Sequence, residues 1–373
     1  MNVLFGISSL GLGHVTRTIP IIDKFLEKGH NITIICYGNS LKYLKNKYEN
    51  KIKYYKFQDY PKFMRGKGDL DYIPNLIIDS KKLKDVMKRE RRFLNKLLKN
   101  KDYDLIINDG RYGFNNKKIP SYIINHQIRI LLPSLLKPFE KVVLKKNIKL
   151  LNQFDGVIIP DIKSNKKNIS GKMSHGVMKY SRKKKFVGIL SSLYDLDNIN
   201  YEIKNSKLKK IVSDLEFLFI MGGYILDKKP SFIKEAEKQL KEINKKTVIV
   251  TGDVKKKRPE FINENIVKIP YIMGDLKKIM FDNANHIIGR TGYTTVMDLI
   301  ECNKKGYLIP TPGQVEQEYL GDYLKENNYF YTSSQDNINI EEYLKNEKNY
   351  NPPNFPKTKE SIKNIFNVIE NEM

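Results

Sequence analysis

The chain has 373 residues, more than one ordinary core holds, and its hydrophobic content of 40% is enough for two folded domains. Its two cysteines, Cys36 and Cys302, exclude a disulfide framework and a thiolate metal site, and they indicate a reducing cytoplasm. The net charge of +25 favours an anionic partner, although abundant lysine alone also accounts for it.

The first residues, Asn2 to Ile7, form an apolar run that predicts a buried strand rather than a targeting leader. No run approaches the ~18 apolar residues that span a bilayer. We therefore expect a cytoplasmic protein that is held, at most, on the inner face of the cell membrane.

Apolar runs of strand length alternate with longer periodic segments, which is typical of parallel βαβ units. In the first half the pattern predicts strands at 3–7, 31–36, 52–56, 105–108, 121–125 and 156–159. Helices are predicted between them at 17–28, 81–99 and 135–153. In the second half strands are predicted at 217–221, 247–251, 266–268, 286–289 and 306–310. The second-half helices are predicted at 231–243, 276–283, 294–301, 316–326 and 357–372.

This rhythm predicts an α/β fold of two Rossmann-like, doubly wound domains that face a cleft. The segment 161–185 is polar and lysine-rich, so the boundary is placed after it. The predicted domains are 1–188 and 189–352, and residues 353–373 are expected to cross back and pack their helix towards the N-terminal domain.

Glycine-bearing turns follow the predicted strands of the first half. After the first strand, Gly11 and Gly13 permit a tight turn, and the next helix offers its N-terminus to an anion. His14 lies where a general base or a phosphate donor is useful, and Arg17 lies one turn later. Any such turn alone is more readily a structural turn than a binding site.

Two more polar turns are predicted at the same edge of this sheet. Asp109 begins the turn DGRYGF, and the turn Asn125, His126 and Gln127 follows the next strand. Because the carboxyl ends of parallel strands share one edge, the three turns together favour a site for a polar ligand.

The most informative stretch is the run GRTGYTTVMD, from Gly289 to Asp298. A strand, a tight turn and a helix in this order aim free N–H groups and the positive helix end at a phosphate. Asp298 lies one to two turns into that helix, within reach of a sugar hydroxyl. A phosphate and a sugar held together indicate a nucleotide or a nucleotide sugar.

Three further segments complete this second predicted site. The glycine pair Gly222 and Gly223 follows a strand, and the segment that contains Tyr271 and Ile272 is suited to wall a flat base. The turn PTPGQVEQ sets Gln314 and Gln317 at a helix start, where their amides reach sugar hydroxyls or simply cap the helix.

The order of these motifs, from the GLGH turn through GRTGYTTVMD to PTPGQVEQ, resembles glycosyltransferases of the two-domain GT-B fold. The family most similar to it is the peptidoglycan N-acetylglucosaminyltransferases, MurG and its relatives in glycosyltransferase family 28, together with archaeal proteins that look like them. The resemblance covers nearly the whole chain and is strongest from Tyr271 to Gln317.

The resemblance implies a role for each matching residue. The glycine loop before the helix would hold the diphosphate of a UDP-sugar, and the acid of that motif would hold the ribose. The aromatic–Ile pair would contact the uracil, and the paired amides would contact the donor sugar. The first glycine loop and the NHQ turn would face the diphosphate and the acceptor. The donor-side residues are Gly222, Gly223, Tyr271, Ile272, Arg290, Thr291, Gly292, Thr294, Thr295, Asp298, Gln314 and Gln317, and the acceptor-side residues are Gly11, Gly13, Arg17, Asn125, His126 and Gln127.

Two departures weaken parts of this match. Relatives usually carry Glu where this chain has Asp298, and their mid-chain loop usually reads GGSxG, whereas Tyr224 follows Gly223 here.

The family inverts the anomeric centre by direct displacement, which needs a base for the acceptor hydroxyl. We predict His14 as that base, with Asp109 as the second choice. Asp-x-Asp pairs at 69–71, 102–104 and 195–197 are weak signals in so charged a chain, so no metal and no cofactor are expected.

The expected product is a glycoconjugate, such as a cell-wall precursor, made by transfer of an N-acetylhexosamine. The segment 128–154 is apolar with basic residues, and it either packs on the sheet or rests on anionic lipid to reach a lipid-linked acceptor. The alternatives are a UDP-sugar 2-epimerase of the same fold and a nucleic-acid-binding protein. The chain has no basic–aromatic motif of a known nucleic-acid-binding module, so no nucleic-acid partner is expected.

Overall fold

The computed structural model describes residues 1–60, 72–164, 166–177, 183–195, 199, 201–221, 230–252 and 258–371. The chain divides into two compact units. Unit 1 contains Met1–Gly188 and Lys359–Met373, and unit 2 contains Ile189–Thr358.

Unit 1 is built on a seven-stranded parallel sheet in the order β3-β2-β1-β4-β5-β6-β7. Its central strands are buried apolar runs, as expected for a parallel sheet covered on both faces. The strand order reverses between β1 and β4, where the register pairs Ile7 with Asp109. The strands are β1 (Asn2–Ile7), β2 (Asn31–Cys36), β3 (Lys53–Lys56), β4 (Leu105–Asp109), β5 (Ser121–Ile124), β6 (Gly156–Ile159) and β7 (Lys184–Phe186).

The helices of unit 1 follow the strands as crossover connections, and the last helix of the chain joins them. Phe366 of that last helix packs on Phe25 with ring centroids 4.6 Å apart, and Asn364 Nδ2 donates to the Val187 carbonyl at 3.0 Å. The helices are α1 (Leu12–Glu27), α2 (Gly38–Tyr48), α3 (Tyr72–Leu97), α4 (Glu140–Leu151) and α11 (Thr358–Glu370).

Unit 2 repeats the scheme with a second seven-stranded sheet in the order β10-β11-β9-β8-β12-β13-β14. β10 is antiparallel to β11, and the other pairs are parallel. Here the strand order reverses between β8 and β12. The strands are β8 (Phe217–Ile220), β9 (Thr247–Val250), β10 (Glu260–Phe261), β11 (Ile266–Ile269), β12 (His286–Arg290), β13 (Gly306–Ile309) and β14 (Tyr331–Thr332).

The described residues of unit 2 contain six α-helices. They are α5 (Ser206–Val212), α6 (Pro230–Ile243), α7 (Gly274–Asn283), α8 (Tyr293–Glu301), α9 (Val315–Glu326) and α10 (Ile340–Asn346) among the described residues. Their apolar faces close a core with the sheet in which Phe217, Phe219, Phe232 and Tyr307 are fully or almost fully buried.

The predicted α/β class with two doubly wound units is confirmed, and every predicted strand is present within one or two residues of its expected ends. The pattern missed β7, β10 and β14, since strands of two or three residues carry no readable periodicity. It also missed α2, α5 and α10. The predicted helix 135–153 is a 3₁₀ segment, Ser134–Phe139, which contains Pro138 and is followed by α4.

Candidate functional site

In unit 1 the carboxyl ends of β1 and β4 bring His14 and Asp109 together. Gly11, with φ of 133°, turns the chain after β1 so that α1 begins at Leu12 and carries His14 in its first turn. Gly110 follows Asp109 with φ of 71°, and a Cβ there would lie 2.9 Å from His14 Cε1. Both glycines are therefore needed for the close approach of the imidazole to β4.

His14 and Asp109 make a short hydrogen bond. His14 Nδ1 lies 2.6 Å from Asp109 Oδ1, and the carboxylate is fully buried whereas the imidazole is 27% exposed. A partly exposed histidine oriented by a buried carboxylate is an arrangement that takes up a proton from a bound hydroxyl. The predicted first and second choices of base are thus neighbours, and their exposures differ.

Arg17 and Thr18 complete the surroundings of Asp109. Arg17 Nε donates to Oδ2 at 2.6 Å, Arg17 Nη2 donates to Oδ1, and the Thr18 hydroxyl lies 3.1 Å from Oδ2. Burial by itself raises the pKa of Asp109, but the charge of Arg17 and the hydrogen bonds from Arg17 and His14 outweigh it and hold the pKa well below its usual range. Asp109 is therefore an ionised anchor rather than a proton acceptor at neutral pH.

The NHQ turn joins the same cluster through one residue. Arg17 Nη1 lies 3.0 Å from His126 Nδ1, so His126 meets the His14–Asp109 pair across the guanidinium. Asn125 is buried, and its side chain bonds to the Tyr112 hydroxyl and the Gln127 N–H. Gln127 Nε2 reaches Met173 Sδ at 3.7 Å. Asn125 therefore shapes the turn, while His126 alone reaches the cluster.

Arg17 and Gly13, which were predicted on the diphosphate and acceptor side, both make contacts within unit 1. The guanidinium of Arg17 is 3% exposed and bound to Asp109, so it acts on an anion of the protein itself. Gly13 lies inside the first turn of α1, where its carbonyl accepts the Thr16 hydroxyl at 3.2 Å.

A buried ionic cluster that sequence reasoning missed holds the loop before His14. The hydroxyls of Ser8 and Ser9 donate to Asp59 Oδ2 at 3.1 and 2.8 Å. Arg111, fully buried, lies 3.0 Å from Asp59 Oδ1 through Nη1 and 2.5 Å from Glu90 Oε1 through Nε. Arg111 sits in the turn DGRYGF, so its position was visible in the sequence, but its partners were not.

In unit 2 the turn between β12 and α8 has the form expected for anion binding. Gly292 is the N-cap of α8 and makes no side-chain cap hydrogen bond, so the helix begins with N–H groups that lack intrahelical acceptors. Thr291 is fully buried, and its hydroxyl has no hydrogen-bond partner in the part of the chain that the structure describes. Thr294 and Thr295 follow in the first turn and are partly exposed.

Asp298 is almost fully buried within α8, and both of its carboxylate oxygens are bonded to other side chains. The residue is 2% exposed, and Oδ1 accepts the Ser191 hydroxyl while Oδ2 accepts Lys277 Nζ, both at 2.5 Å. The carboxylate thus joins the start of unit 2 to α7 and α8.

Arg290 faces the protein rather than an open loop. Nη1 donates to the Pro310 carbonyl at 3.1 Å, Nη2 donates to Gln335 Oε1 at 2.6 Å, and the guanidinium lies 4.2 Å from the centre of the Phe232 ring. Burial lowers its pKa to about 10. At neutral pH the group keeps its charge and ties β12 to the segments after β13 and β14.

The remaining predicted donor-side residues differ in exposure and in their contacts. Tyr271 is 53% exposed after β11, whereas Ile272 is buried. Gln317 Oε1 accepts the Thr311 N–H at 2.9 Å and Gln317 Nε2 donates to Gln314 Oε1 at 2.8 Å, so this pair shapes the turn before α9. Gly222 and Gly223 lie outside the described residues.

Within the described ranges, no group of three or more His, Cys, Asp or Glu side chains has the arrangement of a metal site. Two of the Asp-x-Asp pairs, 69–71 and 195–197, fall wholly or partly outside these ranges. No helix of the described chain is long and apolar enough to cross a membrane.

Comparison with known proteins finds a family model that the second half of the chain resembles. Residues 217–373 match the model of the glycosyltransferase family 28 C-terminal domain. A protein of Methanosarcina acetivorans described as an uncharacterized glycosyltransferase is 26% identical over 171 residues, which cover 43% of this chain and 42% of that protein. The chain thus aligns with less than half the length of this relative.

Solved structures agree on the fold over the whole chain. MurG of Acinetobacter baumannii superimposes with a TM-score of 0.55 at 14% identity and covers 100% of this chain and 99% of its own. A candidate UDP-N-acetylglucosamine 2-epimerase of Listeria monocytogenes gives a TM-score of 0.64 at 10% identity, with 100% and 96% covered. At these identities the likeness shows the fold alone.

Proposed function

Because residues 217–373 form a glycosyltransferase family 28 C-terminal domain within a chain of the GT-B fold, we propose that the protein transfers a sugar from a UDP-sugar to a hydroxyl acceptor. The observation that carries this proposal is the His14–Asp109 pair at the point where the strand order of unit 1 reverses. In open α/β sheets, ligands bind at such points, beyond the carboxyl ends of the strands.

We assign the nucleotide sugar to unit 2. The start of α8 points the positive end of the helix and N–H groups that lack intrahelical acceptors at a diphosphate, and the Thr291 hydroxyl lies in the same turn. The exposed ring of Tyr271 is suited to stack on a uracil. The donor sugar is proposed to be an N-acetylhexosamine because the matching motifs resemble the family that transfers N-acetylglucosamine.

The proposed reaction is one direct displacement with inversion. The acceptor oxygen forms a bond to the anomeric carbon while its proton passes to His14 Nε2. The bond from that carbon to the diphosphate breaks, and the electron pair leaves with UDP. The departing charge is met by the N-terminal N–H groups of α8, which take the place of a metal ion in the proposal.

A lipid-linked acceptor is supported by an exposed apolar stripe on unit 1. Leu135, Phe139 and Val142 are 50%, 56% and 50% exposed, and they lie close together in the sequence where the 3₁₀ segment runs into α4. Exposed lysines surround the stripe at positions 137, 141, 145, 146 and 149. Apolar side chains amid lysines are typical of a surface that rests on an anionic bilayer.

Calorimetric titration tests the donor assignment. We expect UDP and UDP-N-acetylglucosamine to bind without added metal and GDP to bind more weakly. An assay with polyprenyl-linked sugars then tests transfer. Release of UDP with no acceptor-dependent product would identify the 2-epimerase alternative. Failure of every nucleotide to bind, together with steeply salt-dependent binding of nucleic acid, would overturn the proposal and identify a nucleic-acid-binding protein instead.

A further inference from the structure

Two histidines, His14 and His126, lie at the same edge of the unit 1 sheet, and either residue type is suited to accept a proton from the acceptor. Arg17 lies between them and contacts both rings. Three contacts distinguish the histidines: His14 with Asp109, His14 with Arg17, and His126 with Arg17. A guanidinium only donates hydrogen bonds, and an ionised carboxylate only accepts them.

The contacts of His14 fix its proton on Nδ1. Asp109 is ionised and fully buried, so the nitrogen that approaches Oδ1 to 2.6 Å must carry a hydrogen. Arg17 Nη2 also lies 3.1 Å from His14 Nδ1, but its donor is directed to the same carboxylate oxygen at a shorter distance. That contact is therefore a close approach of two donors, and Nε2 of neutral His14 keeps its lone pair.

The contact of His126 requires the opposite arrangement. Arg17 Nη1 has no lone pair, so His126 Nδ1 must accept the hydrogen bond at 3.0 Å. The proton of neutral His126 then lies on Nε2. Nε and Nη2 of the guanidinium are bonded to Asp109, so the position of the third nitrogen, Nη1, is fixed.

We propose that Asp109 and Arg17 together hold the two histidines in opposite tautomers, with Arg17 as the positioning residue for His126, which leaves His14 as the proton acceptor and makes His126 a donor at Nε2. The tautomers follow from unit 1 alone, whereas their use in sugar transfer rests on the proposed function. Arg17 thereby prevents the two rings from competing for the acceptor proton.

Long-range ¹H–¹⁵N spectra of the protein labelled at its five histidines test this directly, since they report which ring nitrogen carries the proton. His14→Gln and His126→Gln variants assign the two signals. We expect His14 as the Nδ1–H form and His126 as the Nε2–H form in the unliganded wild type. Observation of His126 as the Nδ1–H form would overturn the inference, whether or not the protein transfers sugar.

The Arg17→Lys variant tests whether Arg17 sets the tautomer of His126. A lysine keeps the charge beside Asp109 but lacks the rigid fork that also reaches His126, so His126 is expected to become a mixture of tautomers. His14 is expected to remain the Nδ1–H form, because Asp109 is still its partner. An unchanged His126 signal in a folded Arg17→Lys protein would refute the role of Arg17.

Two controls separate positioning from general disturbance. Thr18→Val removes a hydroxyl that lies against Asp109 and touches neither ring, so both tautomers should persist. His175, whose Nε2 lies 3.2 Å from Asp161, should give the same signal in every variant. If transfer is measurable, Arg17→Lys should lower kcat about 10-fold to 100-fold and change KM little.

Discussion

Asp109 is a fully buried carboxylate that receives His14, Arg17 and Thr18 at once. Such a residue needs nearly complete hydrogen bonding, because an ionised carboxylate in an apolar interior is costly when a partner is missing. The cluster therefore gives the imidazole of His14 a fixed orientation at the moment a substrate arrives. Pre-organisation of this kind is what separates a base from an ordinary surface histidine.

His14→Gln is expected to lower kcat about 100-fold to 10,000-fold while the affinity for the UDP-sugar changes little. Glutamine occupies similar space and still bonds to Asp109, but it has no nitrogen that accepts the proton. Steady-state kinetics together with calorimetry separate the two effects. A wild-type rate in this variant would show that another residue is the base.

Asp298 supports a second prediction at this scale. Asp298→Asn keeps the shape of the side chain but removes its charge beside Lys277, and we expect affinity for UDP to fall about 10-fold or more if the carboxylate also meets the ribose. Ser191→Ala is the matched control, because it removes a partner of the same carboxylate. Equal UDP affinity in Asp298→Asn and wild type would assign Asp298 a purely structural role.

At the scale of elements, the first glycine loop is held by the buried cluster of Asp59, Glu90 and Arg111. Burial raises the pKa of Glu90, and the charge of Arg111 opposes that rise. Removing one member of such a buried pair typically costs about 3–5 kcal/mol, because the other charge is left uncompensated. β4, α3 and the chain after β3 are thus locked to the loop that leads into α1.

The segment before α4 gives an element-scale prediction. Phe139→Ser removes an exposed ring, so the free energy of unfolding should change by about 0.5 kcal/mol or less, while binding to vesicles of anionic lipid should fall severalfold. Vesicle sedimentation and urea unfolding measure the two effects. Leu136→Ser, at a buried neighbouring position, should show the reverse pattern. Undiminished vesicle binding by Phe139→Ser would remove the stripe as a membrane contact.

At the scale of the whole molecule, the net charge of +25 and the buried carboxylates both make the fold sensitive to acid. The pKa of Asp109 is lower in the folded than in the unfolded chain, where it is about 3.9. The stability it contributes is therefore fully present above that unfolded value and is lost as the pH falls below it. Protonation of surface carboxylates adds positive charge over the same range.

Asp109→Asn tests this linkage. We expect the variant to be less stable than the wild type at pH 7, by about 3 kcal/mol or more, because Arg17 and His14 lose their ionic partner. The difference should shrink as the pH falls below about 4. Urea unfolding from pH 3 to pH 7 at constant ionic strength measures it. A difference that stays constant over the whole range would show that Asp109 is not the acid-sensitive group.

Local patterns predicted much of this molecule. The strands of both sheets were visible as apolar runs, and the turns at Gly11, Gly110 and Gly292 were visible as glycines after strands, because each depends only on neighbouring residues. His14 was chosen for the same reason. The match of residues 217–373 to a glycosyltransferase domain agrees with the resemblance that the motifs of the second half carry.

The partners of the charged side chains were decided only by the tertiary structure. Arg17 was predicted on the diphosphate and acceptor side, and its bonds to Asp109, which lies 92 residues away, were not visible in the sequence. Asp298 was predicted as a ribose contact, and its bond to Ser191, which lies 107 residues away, was not visible in the sequence. A charged side chain looks the same in the sequence whatever it pairs with. Its partner is set by which strands become neighbours, and β1 lies beside β4 only because the sheet reverses its order there.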